Sequence, residues 1–334
     1  MTDRAALSRA FLQQAGWGAA TRRFLAGDAS DRSYDRLTLG DRTAVLMDAP
    51  PGGDDPAAFT AMATHLRSLG LSAPAVLAQD LANGFLLLED LGDALFARLL
   101  PDPAQEPALY AAATDVLVHL QRAPAPPGLP DLSADDWAEA AGFATDWYAF
   151  AATGVRPDRT GLTARMAQAL HRHADGPRVL ILRDYHAENL LWLPARSGLA
   201  RVGLLDFQLG QMGQPGYDLV SLVQDARRDV PMAIESAMIR RFATATGANE
   251  AEFATAVAVL GAQRALRILG VFARLCLVAG KQGYVALIPR VWSRLWHNLR
   301  HPALAPLAAE CRELLPDPSP AVLERIVGQC GRMR

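Results

Sequence analysis

The sequence predicts an α+β chain with two lobes: a small one over residues 1–90 built on a five-stranded antiparallel sheet plus a helix, and a larger, mostly helical one over 91–334. Three observations point there. Short β-patterned runs separated by turn signals fill the first ninety residues. Apolar residues recur mostly at helical spacing after residue 94. The chain is 334 residues long and 51% hydrophobic, enough for a large core shared between two lobes.

The elements follow in order. Runs at 21–26 and 33–39 flank the polar turn GDASDR, and 42–48 follows the turn Gly40-Asp41, which reads as a three-stranded antiparallel meander. In the loop APPGGDDP, Asp54 or Asp55 is placed to cap a helix with Pro56 in its first turn and its end at Leu69. Strands near 74–79 and 84–89 are joined by the hairpin signal Asn83-Gly84. Helices are expected near 94–100, 108–121, 133–150, 162–174, 217–228, 231–246, 250–279, 285–299, 303–315 and 319–331. Three short β signals interrupt them, at 178–182, 190–193 and 201–205.

Composition excludes several classes. The 35 acidic and 33 basic residues nearly cancel, so no net field draws the chain to nucleic acid or to an anionic membrane. Apolar runs such as 254–262 look too short for a membrane span, and Arg274 interrupts the next one. The first residues show no apolar secretory segment, and three scattered cysteines suggest neither a disulfide framework nor a zinc site. A cytoplasmic protein is expected. Only one of the 33 basic residues is a lysine, Lys281, so chemistry that needs a lysine must use that one or do without.

The polar residues that ask for chemistry cluster around the three β signals. Asp184 and Asn189 are five apart on a loop between two apolar strands, and Asp206 ends the third strand 22 residues after Asp184. Three oxygen-bearing side chains are thereby expected to converge on one sheet edge. A carboxylate or two and an amide suit Mg²⁺, which fills its remaining positions with phosphate and water, and that combination implies phosphoryl transfer.

D-x-x-x-x-N, then an apolar strand and Asp-Phe, resembles the catalytic and metal loops of the protein-kinase-like fold. The forms RDYHAEN, DFQ and GYDL resemble the aminoglycoside phosphotransferase and choline kinase branch of it. That resemblance implies ATP and Mg²⁺ as cofactors, Asp184 as the acceptor of a hydrogen bond from the attacking hydroxyl, Asn189 and Asp206 as metal ligands, and Asp218 as a buried carboxylate in structural support. It places the loop around Ser30 and Arg32 over the phosphates, and the main chain around Glu89 and Leu91 against adenine. His186, Glu188, Gln208 and Asp225 are weaker candidates for substrate contact, beside Tyr185, Arg227, Trp147 and Tyr148.

One departure stands out. Kinases of this fold carry a third-strand lysine paired with a helix glutamate on the nucleotide phosphates. Met47 occupies the matching strand position here, within the nucleotide site, and the helix after Pro56 has no glutamate. Arg32 and Arg36 are the candidates for the replacement charge. The strings GDASDRSY, VLMDAPP, GFLLLEDLGD and YDLVSLVQD resemble the anomeric sugar kinases of cell-wall recycling, which phosphorylate the C1 hydroxyl of N-acetylmuramate and N-acetylglucosamine. A clamp without lysine is normal in that branch. The expectation is therefore a sugar 1-kinase of peptidoglycan recycling acting on an amino sugar. An aminoglycoside or choline kinase and a nucleotide-binding pseudokinase stand as the alternatives.

Overall fold

The computed structural model describes residues 3–27, 32–53 and 55–333; Ser30 and Asp54 lie outside them. The chain divides into two units, residues 1–127 with 182–210, and residues 128–181 with 211–334.

The first unit contains the predicted sheet. Strands β1 (Thr21–Ala26), β2 (Ser33–Leu39) and β3 (Arg42–Asp48) form the meander, and β4 (Val76–Asp80) and β5 (Phe85–Glu89) complete an antiparallel sheet in the order β1-β2-β3-β5-β4. At the β4–β5 turn Gly84 has φ +77°, its carbonyl accepts from the Ala49 amide at 2.8 Å, and its backbone runs so close that a Cβ would strike the Ala49 oxygen. Only glycine meets both demands.

Alternation gives the sheet two working faces. Leu37, Ala44, Leu46, Phe85 and Leu87 pack on one side against Phe11, Leu12 and Trp17. Phe11 and Leu12 belong to helix α1 (Arg4–Gln14), which the sequence reading passed over. Its buried positions are few, Ser8, Phe11 and Leu12, and its start is marked by one cap, Asp3 accepting from the Ala5 amide. Arg4 fastens α1 to the sheet through Asp48 and the Asn83 carbonyl. The opposite face carries Tyr34, Arg36, Val45, Met47 and Leu88. Helix α2 (Pro56–Ser68) starts as expected on an aspartate cap, Asp55. After β5 come the short helix α3 (Phe96–Leu99) and α4 (Glu106–Arg122).

The segment 190–204 folds as a hairpin of this same unit, with Leu190–Trp192 paired antiparallel to Val202–Leu204. It docks on the N-terminal residues through the Leu204 amide to the Ser72 carbonyl at 2.9 Å, the Trp192 amide to Ala94 at 2.8 Å and the Ser72 hydroxyl to Ala200 at 2.6 Å. The single sheet edge expected for the three β signals is therefore not observed. Val179–Ile181 belongs to the other unit, where it pairs with Gln211–Gly213, a strand the sequence reading missed. Gly213 leaves room there for the Ile181 side chain, which a Cβ would force to move.

The second unit is otherwise helical. Its central helix, Glu250–Leu277, packs against Ala134–Ala141, Thr160–His173, Met232–Thr246 and Ile288–Leu299. It is long and apolar enough to cross a membrane, contrary to the expectation from short apolar runs, but 78% of its apolar window is buried inside the protein. It serves as a core helix. The helix expected over 133–150 divides into Ala134–Ala141, a widened π turn Ala144–Ala149 and a last turn Phe150–Thr153. The helix expected over 217–228 stops at Val223, and beyond it the Asp225 carboxylate caps the Arg227 amide at 2.8 Å. Aspartate competing for a nearby backbone amide ends helices in this way.

Candidate active site

A cavity of about 380 Å³ opens in the first unit between the second sheet face, the segment after β5 and the 189–206 region. Leu25, Val45, Phe59, Leu88, Leu91 and Leu191 give it apolar walls. Arg32, Glu188, Asn189 and Asp206 give it a polar end. An apolar slot with a few convergent polar groups suits a small ligand that has a flat apolar part and a charged part.

Short hydrogen bonds build the polar end. Asp184 opens the loop, with its amide bonded to the Leu182 carbonyl at 2.9 Å. Tyr185 turns inward, is 2% exposed and donates its hydroxyl to the Ala113 carbonyl of α4 at 2.9 Å, which pins the loop to that helix. This burial assigns Tyr185 to packing and removes it from the substrate candidates. His186 is also buried, and its ring lies 3.4 Å from the Asn189 amide nitrogen. Asn189 donates that nitrogen to the Asp184 carbonyl at 2.9 Å, which turns its amide oxygen the other way.

The hairpin then brings the two ends of the motif together. Leu190 pairs with Leu204, and one step beyond, the Leu205 amide donates to the Asn189 carbonyl at 2.9 Å. Asp206 follows directly, at φ +55°, and Arg183, just before Asp184, has φ +71°. Left-handed backbone at non-glycine residues costs energy and concentrates at functional sites. Phe207 is fully buried and packs on Phe59 of α2 with ring centroids 4.9 Å apart. That contact holds Asp206 toward the cavity.

Asp206 Oδ1 accepts from Gln208 at 2.8 Å and from Arg32 at 3.3 Å. Its side chain is 44% exposed, whereas Arg32 is only 8% exposed. An amide oxygen from Asn189 and a partly exposed carboxylate from Asp206 are hard oxygen donors and fit Mg²⁺ shared with phosphate oxygens. Among the described residues no group of three or more His, Cys, Asp or Glu forms a self-sufficient metal site.

The other end of the cavity is held by charge. Arg36 reaches from β2 to the segment after β5, donating to Asp93 at 2.6 Å, Asp90 at 3.0 Å and the Gly92 carbonyl at 3.3 Å. Its hydrogen bond to Asp93 chiefly raises the Arg36 pKa against the opposing effect of burial. The same bond holds the Asp93 carboxyl below the usual carboxylate range. The Glu89 carboxylate is engaged by Arg196 at 2.5 Å, the Ala75 amide at 3.2 Å and Arg67 at 3.4 Å.

The structure thus brings Arg32, Glu89, Leu91, Glu188, Asn189 and Asp206 to one cavity, with Gln208 behind Asp206. Met47 is 1% exposed and lies outside the cavity lining. Its expected nucleotide contact gives way to packing in the core of the sheet. Asp218 and Asp225 belong to the second unit, where both are buried. Trp147 and Tyr148 belong to it as well, and Tyr148 is fully buried with its hydroxyl on the Pro316 carbonyl at 2.6 Å. Sequence reasoning missed Phe59, Arg98 and Asp93 at the cavity. Asp93 was legible in principle, as an acid just past β5 facing an arginine on the cavity side of β2.

Residues 21–258 match the model of a phosphotransferase enzyme family. An N-acetylmuramate/N-acetylglucosamine kinase of Caulobacter vibrioides is 38% identical over 92% of this chain and 96% of its own length. A protein of the same name from Pseudomonas aeruginosa is 34% identical over 87% of this chain and 89% of its own. Among solved structures, a choline/ethanolamine kinase family protein from Mesorhizobium loti superposes with a TM-score of 0.61 at 18% identity, covering 93% of this chain and 99% of that one.

Proposed function

The chain belongs to the phosphotransferase enzyme family, and from that premise we propose that it transfers the γ-phosphoryl group of ATP to the C1 hydroxyl of N-acetylmuramate or N-acetylglucosamine. We place the reaction in the cytoplasm, in the recycling of peptidoglycan sugars. The observation that carries the chemistry is the 2.9 Å backbone bond between Leu205 and Asn189, which sets Asn189 beside Asp206 at the polar end of the cavity. The names of the relatives support the substrate.

In this reading residues 1–90 cover the nucleotide, and residues 91–334 carry the catalytic and metal loops and the sugar. The apolar walls take adenine against the main chain near Glu89 and Leu91, and the loop of Ser30 and Arg32 meets the phosphates. Mg²⁺, held by Asn189 and Asp206, would offset charge on the β and γ phosphates. Asp184 orients the sugar C1 hydroxyl and takes its proton. The C1 oxygen forms its bond to the γ phosphorus as the bond from that phosphorus to the bridging oxygen breaks, leaving ADP. An anomeric hydroxyl is more acidic than an ordinary alcohol, so the demand on Asp184 as a base is modest. Glu188, exposed at the cavity, His186, Gln208 and Asp225 are the residues assigned to the sugar. Asp218, buried in the second unit, is assigned to structural support.

The test is turnover with Mg-ATP and a panel of N-acetylmuramate, N-acetylglucosamine, choline and an aminoglycoside. The expected result is consumption of one or both sugars. Turnover of choline or aminoglycoside with neither sugar consumed would overturn the proposal.

A further inference from the structure

The sheet lacks the lysine that usually meets the nucleotide phosphates, and Met47 in its place is buried in the core. Two arginines on the β1–β2 hairpin face the cavity. Arg36 cannot serve, because its guanidinium is committed to Asp90, Asp93 and the Gly92 carbonyl. Arg32 is as well removed from water, 8% exposed, but it points to the polar end and contacts Asp206 Oδ1 at 3.3 Å.

We infer that Arg32 is an exchangeable counter-ion: it neutralises the metal-binding carboxylate Asp206 in the nucleotide-free protein and transfers to the α and β phosphates when nucleotide enters. The inference rests on the proposed reading that the cavity takes ATP. The chemistry supports an exchange in both directions. A 3.3 Å contact with a carboxylate that is 44% exposed and already accepts from Gln208 at 2.8 Å is weak for a charged pair and costs little to break. A guanidinium matches two phosphate oxygens as a planar fork, which a single carboxylate oxygen does not offer. Each partner then gains, since Asp206 trades a long contact for a divalent ion and Arg32 trades that contact for a two-pronged one. A positive charge near the polar end is also kept at every stage, so the strained Asp206 turn is never left facing uncompensated anions.

The exchange makes Arg32 a competitor of the metal in one state and a partner of the nucleotide in the other, and the two effects have opposite signs. Mn²⁺ binding without nucleotide, read by electron paramagnetic resonance, should become roughly two- to fivefold tighter in Arg32→Ala than in the natural protein. Metal-free ADP binding by calorimetry should weaken about 10- to 100-fold in the same variant. Arg32→Lys should recover part of the ADP affinity, because charge returns without the fork, and it provides a second variant if the alanine protein folds poorly. A purely structural arginine would move both affinities in the same direction. Unchanged or weaker Mn²⁺ binding in both variants overturns the counter-ion role, and unchanged ADP binding overturns the clamp. If the natural protein itself bound no ADP, the nucleotide reading would fail instead, which separates the two outcomes.

Discussion

Arg32 and Arg36 stand four residues apart on one hairpin and line one cavity, yet they are held in opposite ways. Arg36 has two carboxylates and a carbonyl within 3.3 Å, and its ion pair with Asp90 is nearly closed to water, with side chains 12% and 6% exposed. Arg32 is just as buried but meets Asp206 at 3.3 Å, and Asp206 is open to the cavity. Burial alone therefore does not separate a structural cation from a functional one. The separating feature is the partner: Asp90 is fixed within the fold, whereas Asp206 is proposed to bind a metal.

The predictions can be ranked by how strongly they test that contrast. The largest effect lies outside both arginines and sets the scale. Asp184→Asn should lower kcat for the sugar by about 10²- to 10⁴-fold, toward the smaller figure because the anomeric hydroxyl is acidic, with the KM for ATP little changed. Asp206→Asn should abolish nucleotide-free Mn²⁺ binding, whether or not Arg32 is present.

Arg36→Ala should act on stability more than on metal. It strips Asp90 of its cation, and breaking one side of a buried pair costs about 3 kcal/mol, or about 4 °C in Tm at an unfolding entropy of about 2.1 cal/mol/K per residue over this length. Differential scanning calorimetry reads the shift, and Mn²⁺ affinity should stay at the natural value. If Arg36→Ala instead tightened Mn²⁺ binding as Arg32→Ala is expected to, the contrast between the two residues would collapse.

The smallest effect is a pH dependence. The hydrogen bond from Arg36 depresses the Asp93 pKa, so its stabilisation is complete above the pH at which the unfolded carboxyl titrates. It is lost as pH falls through the lower folded value. Asp93→Asn should flatten the acid limb of a Tm profile taken from about pH 3 to about pH 6. The change should be slight, because Asp93 is 57% exposed.

Much of this site was legible in the sequence because its motifs encode local geometry. The spacing of Asp184, Asn189 and Asp206 needs only one hairpin to bring Asn189 and Asp206 together; its two strands were visible as the apolar runs at 190–193 and 201–205, though not their pairing apart from 178–182. Asn83-Gly84 likewise marked the β4–β5 turn. What was hidden depended on partners distant in sequence. Helix α1 has a weak apolar face that acquires meaning only against the sheet. Gln211–Gly213 has too few residues to show a period, and its pairing with Val179–Ile181 spans the whole segment from Asp184 to Asp206. Arg32 on the loop and Arg36 on the return strand looked equivalent as candidate cations, and their contacts with Asp206 on one side and with Asp90 and Asp93 on the other distinguish them.

The most direct test of the central claim is where the phosphate is placed. After reaction of the natural protein with Mg-ATP and N-acetylmuramate or N-acetylglucosamine, a phosphorus–proton NMR correlation identifies the carbon that bears the new ester. The account expects the phosphorus to couple to the anomeric proton, with loss of the reducing end. A phosphate on any other hydroxyl, or no sugar phosphate from an enzyme that consumes ATP with choline, would contradict it.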